Sequence, residues 1–307
     1  MVSKKTHRGK HKNKRMTKQK KYTRKNANNK NSFKKLNCAP DPTRKHEFTC
    51  FNTEKLMIIR NAWNARHPDV KITSTKPHDI WHKLKTYMSA TCQNEMCWLK
   101  HQFIKNQLNS DLLHHTFAPK SPESWKKNPN EWLDSLNIMA VMSQYEAKYK
   151  CFDFMGPSPI NYDTHFSNGE CVWEEICELK ISDLISKNKN KLGIIFNLDP
   201  HYKSGSHWVA LFVNLKKGTI YYFDSNGIKP PRQISKLMSN ISKQCDELGM
   251  VMEMNHNTRR HQYSDTECGM YSLFFIIEML KDRPSEYFLK NRIPDKHMLD
   301  FRKVYFN

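Results

Sequence analysis

Residues 207–227, HWVALFVNLKKGTIYYFDSNG, read as two short strands joined by a tight turn. HWVALFVN (207–214) and TIYYF (219–223) are rich in β-branched and aromatic residues, and LKKG between them suits an antiparallel connection. With Lys216 and Lys217 in the turn, opposed residue numbers sum to 433, so Asp224 faces Val209 and Asn226 faces His207. Residues two apart share a face, which predicts that His207 and Asp224 are diagonal neighbours on one face of the sheet. A carboxylate in that place fixes the imidazole tautomer and leaves the second ring nitrogen free to act as a base.

Outward from the hairpin, GIIFNL (193–198) and MVMEM (250–254) also read as strands. Between the hairpin and the last strand, PRQISKLMSNISKQCDELG (231–249) carries a helical stripe of Ile234, Leu237, Met238, Ile241 and Leu248, closed by Gly249. The order is strand, strand, strand, helix, strand, helix. Upstream, WLDSLNIMAVMSQYEAKY (132–149) predicts a helix burying Trp132, Leu136, Met139, Met142, Tyr145 and Tyr149. EKLMIIRNAWNAR (54–66) and DIWHKLKTYM (79–88) predict a small helical domain, and the Pro-rich passage FAPKSPESWKKNPNE (117–131) reads as its connection to the next domain. The expected organisation is a basic arm over 1–36, a helical domain over 37–120 and a catalytic domain over 121–307.

The segment HQYSDTECGMYSLFFIIEML (261–280) changes from polar turn formers to an apolar helix at Cys268-Gly269. A cysteine at a helix N-terminus sits where free backbone N–H groups favour a thiolate, the reactive form. Gly269 leaves room for a substrate backbone, the Cys268 amide is an oxyanion donor, and Gln262 offers a second. His207, Asp224, Gln262 and Cys268 thus supply base, orienter, oxyanion donor and nucleophile, the set that acyl transfer needs.

These pieces resemble the adenain and SUMO-protease clan of cysteine peptidases: His207-Trp208, Phe223-Asp224-Ser225, Gln262 and Glu267-Cys268-Gly269-Met270-Tyr271, in that order and with similar spacing. Trp132-Leu133-Asp134-Ser135 is similar to the clan's helix-opening motif, whose Trp lies over the small residues of the substrate. QYEAKYKCFDFMGPSPINYD (144–163) and the basic arm look most like the polyprotein-processing proteases of large DNA viruses, such as that of African swine fever virus. The resemblance implies an α+β fold: a papain-like or adenain-like core with a central mixed sheet flanked by helices, beside a helical N-terminal domain. It also implies an endopeptidase that cleaves after Gly-Gly-type sites in virion precursors, without a cofactor. Trp132 and Trp208 are the candidates for a clamp that admits only glycine-sized residues. Some clan members place Asn or Glu third in the triad, which makes Asn226 the alternative to Asp224; a carboxylate better offsets an imidazolium.

Charge and cysteine content bound the rest. The net charge is +21, but residues 1–36 hold 15 Lys or Arg and no carboxylate, leaving 36 basic against 30 acidic residues, or +6, for the remainder. Such an arm cannot offset its ordering entropy and is expected to be disordered, with nucleic acid as its natural partner. The most apolar run, MYSLFFIIEML (270–280), is short and interrupted by Glu278, so no membrane span is expected, and no apolar stretch follows the basic N-terminus as a secretory signal requires. Nine cysteines without a C-x-x-C pair suggest reduced thiols in an intracellular setting, the virion and host cytoplasm or nucleus. Cys92 with Cys97, Cys171 with Cys177, and His114-His115 match no regular zinc spacing, so no metal site is expected. The rival functions are a deSUMOylating or deubiquitinating isopeptidase, an acetyltransferase using the same triad, and a nucleic-acid-binding protein acting through its arm.

Overall fold

The computed structural model describes residues 32–41, 43–106 and 115–307. Most of the basic arm, and His114, lie outside the described residues. Residues 32–36 were expected to belong to that arm, yet they pack on the helical region: Phe33 lies against Trp81 and Trp98, and Leu36 is buried. Two apolar side chains in an otherwise polar run suffice to dock it, and Lys34 N–H donates to Gln93 O at 2.7 Å.

The helical region comprises α1 (Thr53–Arg66), α2 (Pro77–Met88), α3 (Glu95–Lys100) and the single turn α4 (Gln102–Lys105). Its core is built around Leu56, Ile59, Ile80, Leu84 and Trp98. After a 3-10 turn at Glu123–Lys126 come α5 (Ser135–Lys148), β1 (Phe152–Pro159), α6 (Glu174–Cys177), α7 (Ile181–Ser186) and β2 (Lys191–Asn197). The hairpin strands β3 (Trp208–Asn214) and β4 (Thr219–Phe223) follow, then α8 (Arg232–Glu247), β5 (Glu253–His256), α9 (Cys268–Leu280), α10 (Glu286–Lys290) and α11 (Asp295–Tyr305).

The five strands form one sheet in the order β1-β2-β3-β4-β5, antiparallel at its centre and parallel at both edges. One face is covered by α5, α9 and α11 through Ile138, Met142, Phe275, Ile276 and Met298; the other is covered by α7 and α8 through Ile181, Leu184, Ile234 and Ile241. The expected mixed sheet flanked by helices is therefore the observed α+β fold. Among the described residues no helix is long and apolar enough to cross a membrane.

Several local expectations give way to tertiary context. In α5 the buried side is Ile138, Val141, Met142 and Tyr145, while Leu136, Met139 and Trp132 are exposed. The sheet takes an overlapping stripe that keeps Met142 and Tyr145 but uses Ile138 and Val141 in place of Leu136 and Met139; Asp134 caps the helix, which leaves Trp132 before its first turn. In α8, Cys245 takes the buried place expected of Leu248, which is exposed beyond the helix end. The last strand starts at Glu253 rather than Met250, and β1 was not legible because its FDFMGPSP pattern ends in Gly and Pro. The cysteines depart furthest: disulfides join Cys38–Cys50, Cys92–Cys97 and Cys171–Cys177, leaving Cys151, Cys245 and Cys268 free. The connecting loops bring together pairs whose spacing carried no motif.

Candidate active site

The hairpin register is the one that the turn dictates: Ala210 pairs with Phe223 and Asn214 with Thr219. Gly218 closes the turn at φ +61°, and a Cβ there would meet Val251 O at 2.5 Å, so the position needs glycine twice over. His207 and Asp224 lie just beyond the last β3–β4 pair, and His207 Nε2 is 2.7 Å from Asp224 Oδ1. Strict alternation would put His207 with Val209 and Leu211, on the face away from Cys268, since Trp208, Ala210 and Phe212 share the face of Cys268. The expected sharing of one face is thus not what joins the triad. At the end of the ladder the pleat no longer dictates direction, and the imidazole lies near enough to Cys268 for the sulfur to raise its pKa.

Asp224 is held from both sides. Its N–H donates to Asn257 Oδ1 at 2.9 Å, Asn257 Nδ2 donates to its carbonyl at 2.7 Å, and Asn226 N–H donates to its carboxylate at 2.8 Å. Asn226 also brings its side-chain amide to 3.3 Å from His207 Nε2, a longer contact than that of the carboxylate. With Nε2 engaged by Asp224, Nδ1 is the nitrogen left for the thiol.

Cys268 is the first residue of α9 and is buried. The close approach that Gly269 permits is made by Leu133: a Cβ on Gly269 would sit 2.9 Å from Leu133 Cβ. The structure thus fills with protein the space expected for substrate backbone over Gly269. Leu133 is fixed in turn, because its carbonyl accepts from Trp208 Nε1 at 2.9 Å. The residue before the thiol, Glu267, is fully buried and paired with Arg302 of α11, Nε to Oε2 at 2.9 Å and Nη2 to Oε1 at 3.0 Å. Arg302 also donates to Glu131 O and lies 4.5 Å over the Trp125 ring.

Gln262 is buried with its amide orientation fixed: Oε1 accepts from Ser225 Oγ at 2.7 Å and Nε2 donates to Ser264 O at 2.6 Å. One Nε2 hydrogen stays free to donate. The following loop is tied down by Asp295, whose carboxylate accepts from the N–H groups of Tyr263 and Ser264.

Burial of the His207 ring opposes its charge, but hydrogen bonds to Asp224 and Cys268, reinforced by their charges, win, and its pKa is pushed up to about 9. The imidazole therefore keeps its proton at neutral pH. A neighbouring cleft of about 450 Å³ is lined by Trp132, Leu133, Trp173, Asn197, His201 and Trp208 among others. Trp132 is 45% exposed at its wall, whereas Trp208 is buried.

His207, Asp224, Asn226 and Cys268 are therefore gathered at one end of the sheet, with Gln262 tied to Ser225 beside Asp224. Ser225, Asn257, Asp295 and the Glu267–Arg302 pair had no role in the sequence reading. Ser225 and Glu267 stood inside quoted motifs, but their partners lie 37 and 35 residues away and leave no local signal.

A thiol at a helix start, beside an imidazole that is itself bonded to a buried carboxylate, defines a cysteine hydrolase of the peptidase type. Residues 112–307 match the Ulp1 protease family, C-terminal catalytic domain, and the chain belongs to that family of cysteine peptidases. It is 27% identical over 292 residues to a putative thiol protease of Acanthamoeba polyphaga mimivirus, covering 88% of this chain and 92% of that one. It is 29% identical over 226 residues to a cysteine protease of African swine fever virus, covering 69% of this chain and 81% of that one. A crystal structure of an African swine fever virus protease superposes with a TM-score of 0.64 at 23% identity, over 88% of this chain and 95% of that one.

Proposed function

We propose that this cysteine peptidase is an endopeptidase that cuts after Gly-Gly-type sites, Gly-Gly-Xaa, in precursor proteins of an assembling virion. Cys268 is the nucleophile, and His207, which holds the proton shared with the thiol, gives it to the leaving amine. Asp224 orients His207, and the Cys268 amide with Gln262 Nε2 stabilises the oxyanion. Water activated by His207 then releases the thioester.

The observation that carries the specificity is the pair of indoles on the cleft, one of them fixed. Trp208 is bonded through Nε1 to Leu133 O, and Trp132, the residue before Leu133, stands exposed at the wall. Two indoles lining the cleft, Trp208 among them bonded in place, narrow it for side chains, which favours glycine. The relatives that share most of their length with this chain are viral thiol and cysteine proteases, which supports a viral setting for the peptidase.

The test is a library of Gly-Gly-Xaa peptides incubated with the wild type and with Cys268→Ala. Products confined to the wild type, and lost when either glycine becomes valine, support the reading; cleavage indifferent to that change overturns it. A SUMO-conjugate isopeptidase is the second reading, favoured by the relatives named SUMO-1 cysteine protease. Turnover of a SUMO-lysine conjugate in preference to the peptides would select it.

The basic arm is proposed to bind nucleic acid. The described lysines nearest to it, Lys34 and Lys35, line a cavity of about 780 Å³ with Lys296 and Lys303, away from the triad. Retention on DNA that weakens as salt rises, and falls when residues 1–31 are removed, supports this.

A further inference from the structure

We propose that the chain holds two zinc sites outside the triad, one formed by Cys92, Cys97 and His101 and the other by His165, Cys171 and Cys177. In each group the three ligand atoms lie within 4.8 Å of one another. The His101 Nε2 to Cys92 Sγ distance is 3.3 Å and the His165 Nε2 to Cys171 Sγ distance is 3.5 Å. Two corners of a tetrahedral zinc site with one sulfur and one imidazole ligand stand about 3.6 Å apart, given metal bonds of about 2.3 and 2.05 Å. The imidazole edges are thus already in place, and only the two sulfurs of each group must part.

Local structure explains both placements. Cys97 and His101 are four apart across α3, so they project from one helical face, and Cys92 precedes the cap residue Asn94. In the second group, His165 and Cys171 face each other across an antiparallel bridge, flanked by the Val172 N–H to Thr164 O bond at 2.9 Å. Cys177 ends the helical turn α6 that follows. A hairpin that presents two ligands and a helical turn that presents the third is a natural frame for zinc.

The third bonded pair provides the contrast. Cys38–Cys50 has no imidazole beside it; Cys50 Sγ lies near Leu36 O at 3.7 Å. A disulfide needs no imidazole, so the recurrence of one at two of three pairs distinguishes a ligand set from a crosslink. Among the described residues no fourth His, Cys, Asp or Glu joins either group, so water completes each site. Two thiolates and an imidazole are soft donors that suit zinc.

The sulfurs are joined in the structure, so loading starts with reduction. A phosphine takes each disulfide and one water to two thiols and phosphine oxide; zinc then replaces two thiol protons, which leave to solvent. The second site borders the substrate cleft, because Val172 and Trp173 line it between Cys171 and Cys177. Zinc there would stiffen that wall.

The full chain carrying Cys268→Ala, so that the triad sulfur binds no metal, is reduced with a phosphine, stripped with a chelator and loaded with zinc under inert gas. One zinc per group, two per chain, is expected after desalting, falling to one when Cys92 and Cys97 are both changed to Ser, and likewise for Cys171 and Cys177. Cobalt in place of zinc should give sulfur-to-metal charge transfer and the visible bands of a tetrahedral site. A readout without ligand mutations guards against unfolding: zinc should protect Cys92, Cys97, Cys171 and Cys177 from alkylation, and leave Cys38 and Cys50 as reactive as in the metal-free reduced protein. Reduced chain that retains no zinc, or zinc that protects none of the four thiols, overturns the proposal.

Discussion

The two walls of the active site are held in different ways. On one side, His207 and Asp224 hang from a β-hairpin whose register follows from its turn, so each is placed by backbone pairing with near neighbours in sequence. On the other, Gln262 and Cys268 sit in a loop and at a helix start that no ladder reaches. The Gln262 N–H does donate to Ser225 O at 2.9 Å, but most of the placing is done by side chains from elsewhere: Ser225 on Gln262, Asp295 on the loop, and Arg302 on Glu267. The hairpin brings its two groups close through backbone register and leaves their final hold to single bonds, whereas the thiol side leans more on side chains distant in sequence and is the easier to break.

The largest expected effect falls on the hairpin side, though through chemistry rather than folding. Asp224→Asn should keep the structure and lower kcat by on the order of 10⁴-fold, because His207 loses the carboxylate that orients it and offsets its charge. Circular dichroism and peptide turnover check this together, and an activity loss that merely tracks unfolding would remove the distinction between the walls. On the thiol side, Arg302→Ala leaves the Glu267 carboxylate buried without its partner. It should cost about 3–5 kcal/mol, read as a lower denaturation midpoint with activity lost at lower denaturant concentration. An unchanged midpoint would show that the ion pair does not pin the start of α9.

Smaller and more informative is the pair Gln262→Ala and Ser225→Ala. Removing one oxyanion donor should lower kcat by about 10²–10³-fold with KM little changed. Ser225→Ala frees the Gln262 amide to turn, so it should lower kcat in the same sense by about 10-fold, as loss of one neutral hydrogen bond worth roughly 1.4 kcal/mol implies. If the double variant is worse than Gln262→Ala by the full effect of Ser225→Ala, the serine does not act through the glutamine.

The same contrast explains what was legible in the sequence. The hairpin, its register, α1, α2 and the start of α9 could be read because periodicity and turn chemistry are local, whereas the mixed sheet was legible only through the family resemblance. The buried face of α5 could not, since Leu136 and Ile138 are equally apolar and only the sheet decides between them. The cysteine pairs were missed for a related reason: Cys38 meets Cys50, and Cys171 meets Cys177, through loop paths that spacing does not encode. Gly269 was read as room for substrate, but only the tertiary fold reveals that Leu133 occupies the space.

The shared proton between the two walls is the centre of the account, and the titration of His207 followed by NMR tests it most directly. Its raised pKa stabilises the folded state fully below the ordinary imidazole value of about 6.5, and that contribution is lost as pH rises through about 9. The ring should stay protonated to about pH 9 in the wild type and titrate lower in both Cys268→Ala and Asp224→Asn. A His207 that titrates near 6.5 in all three proteins would contradict it.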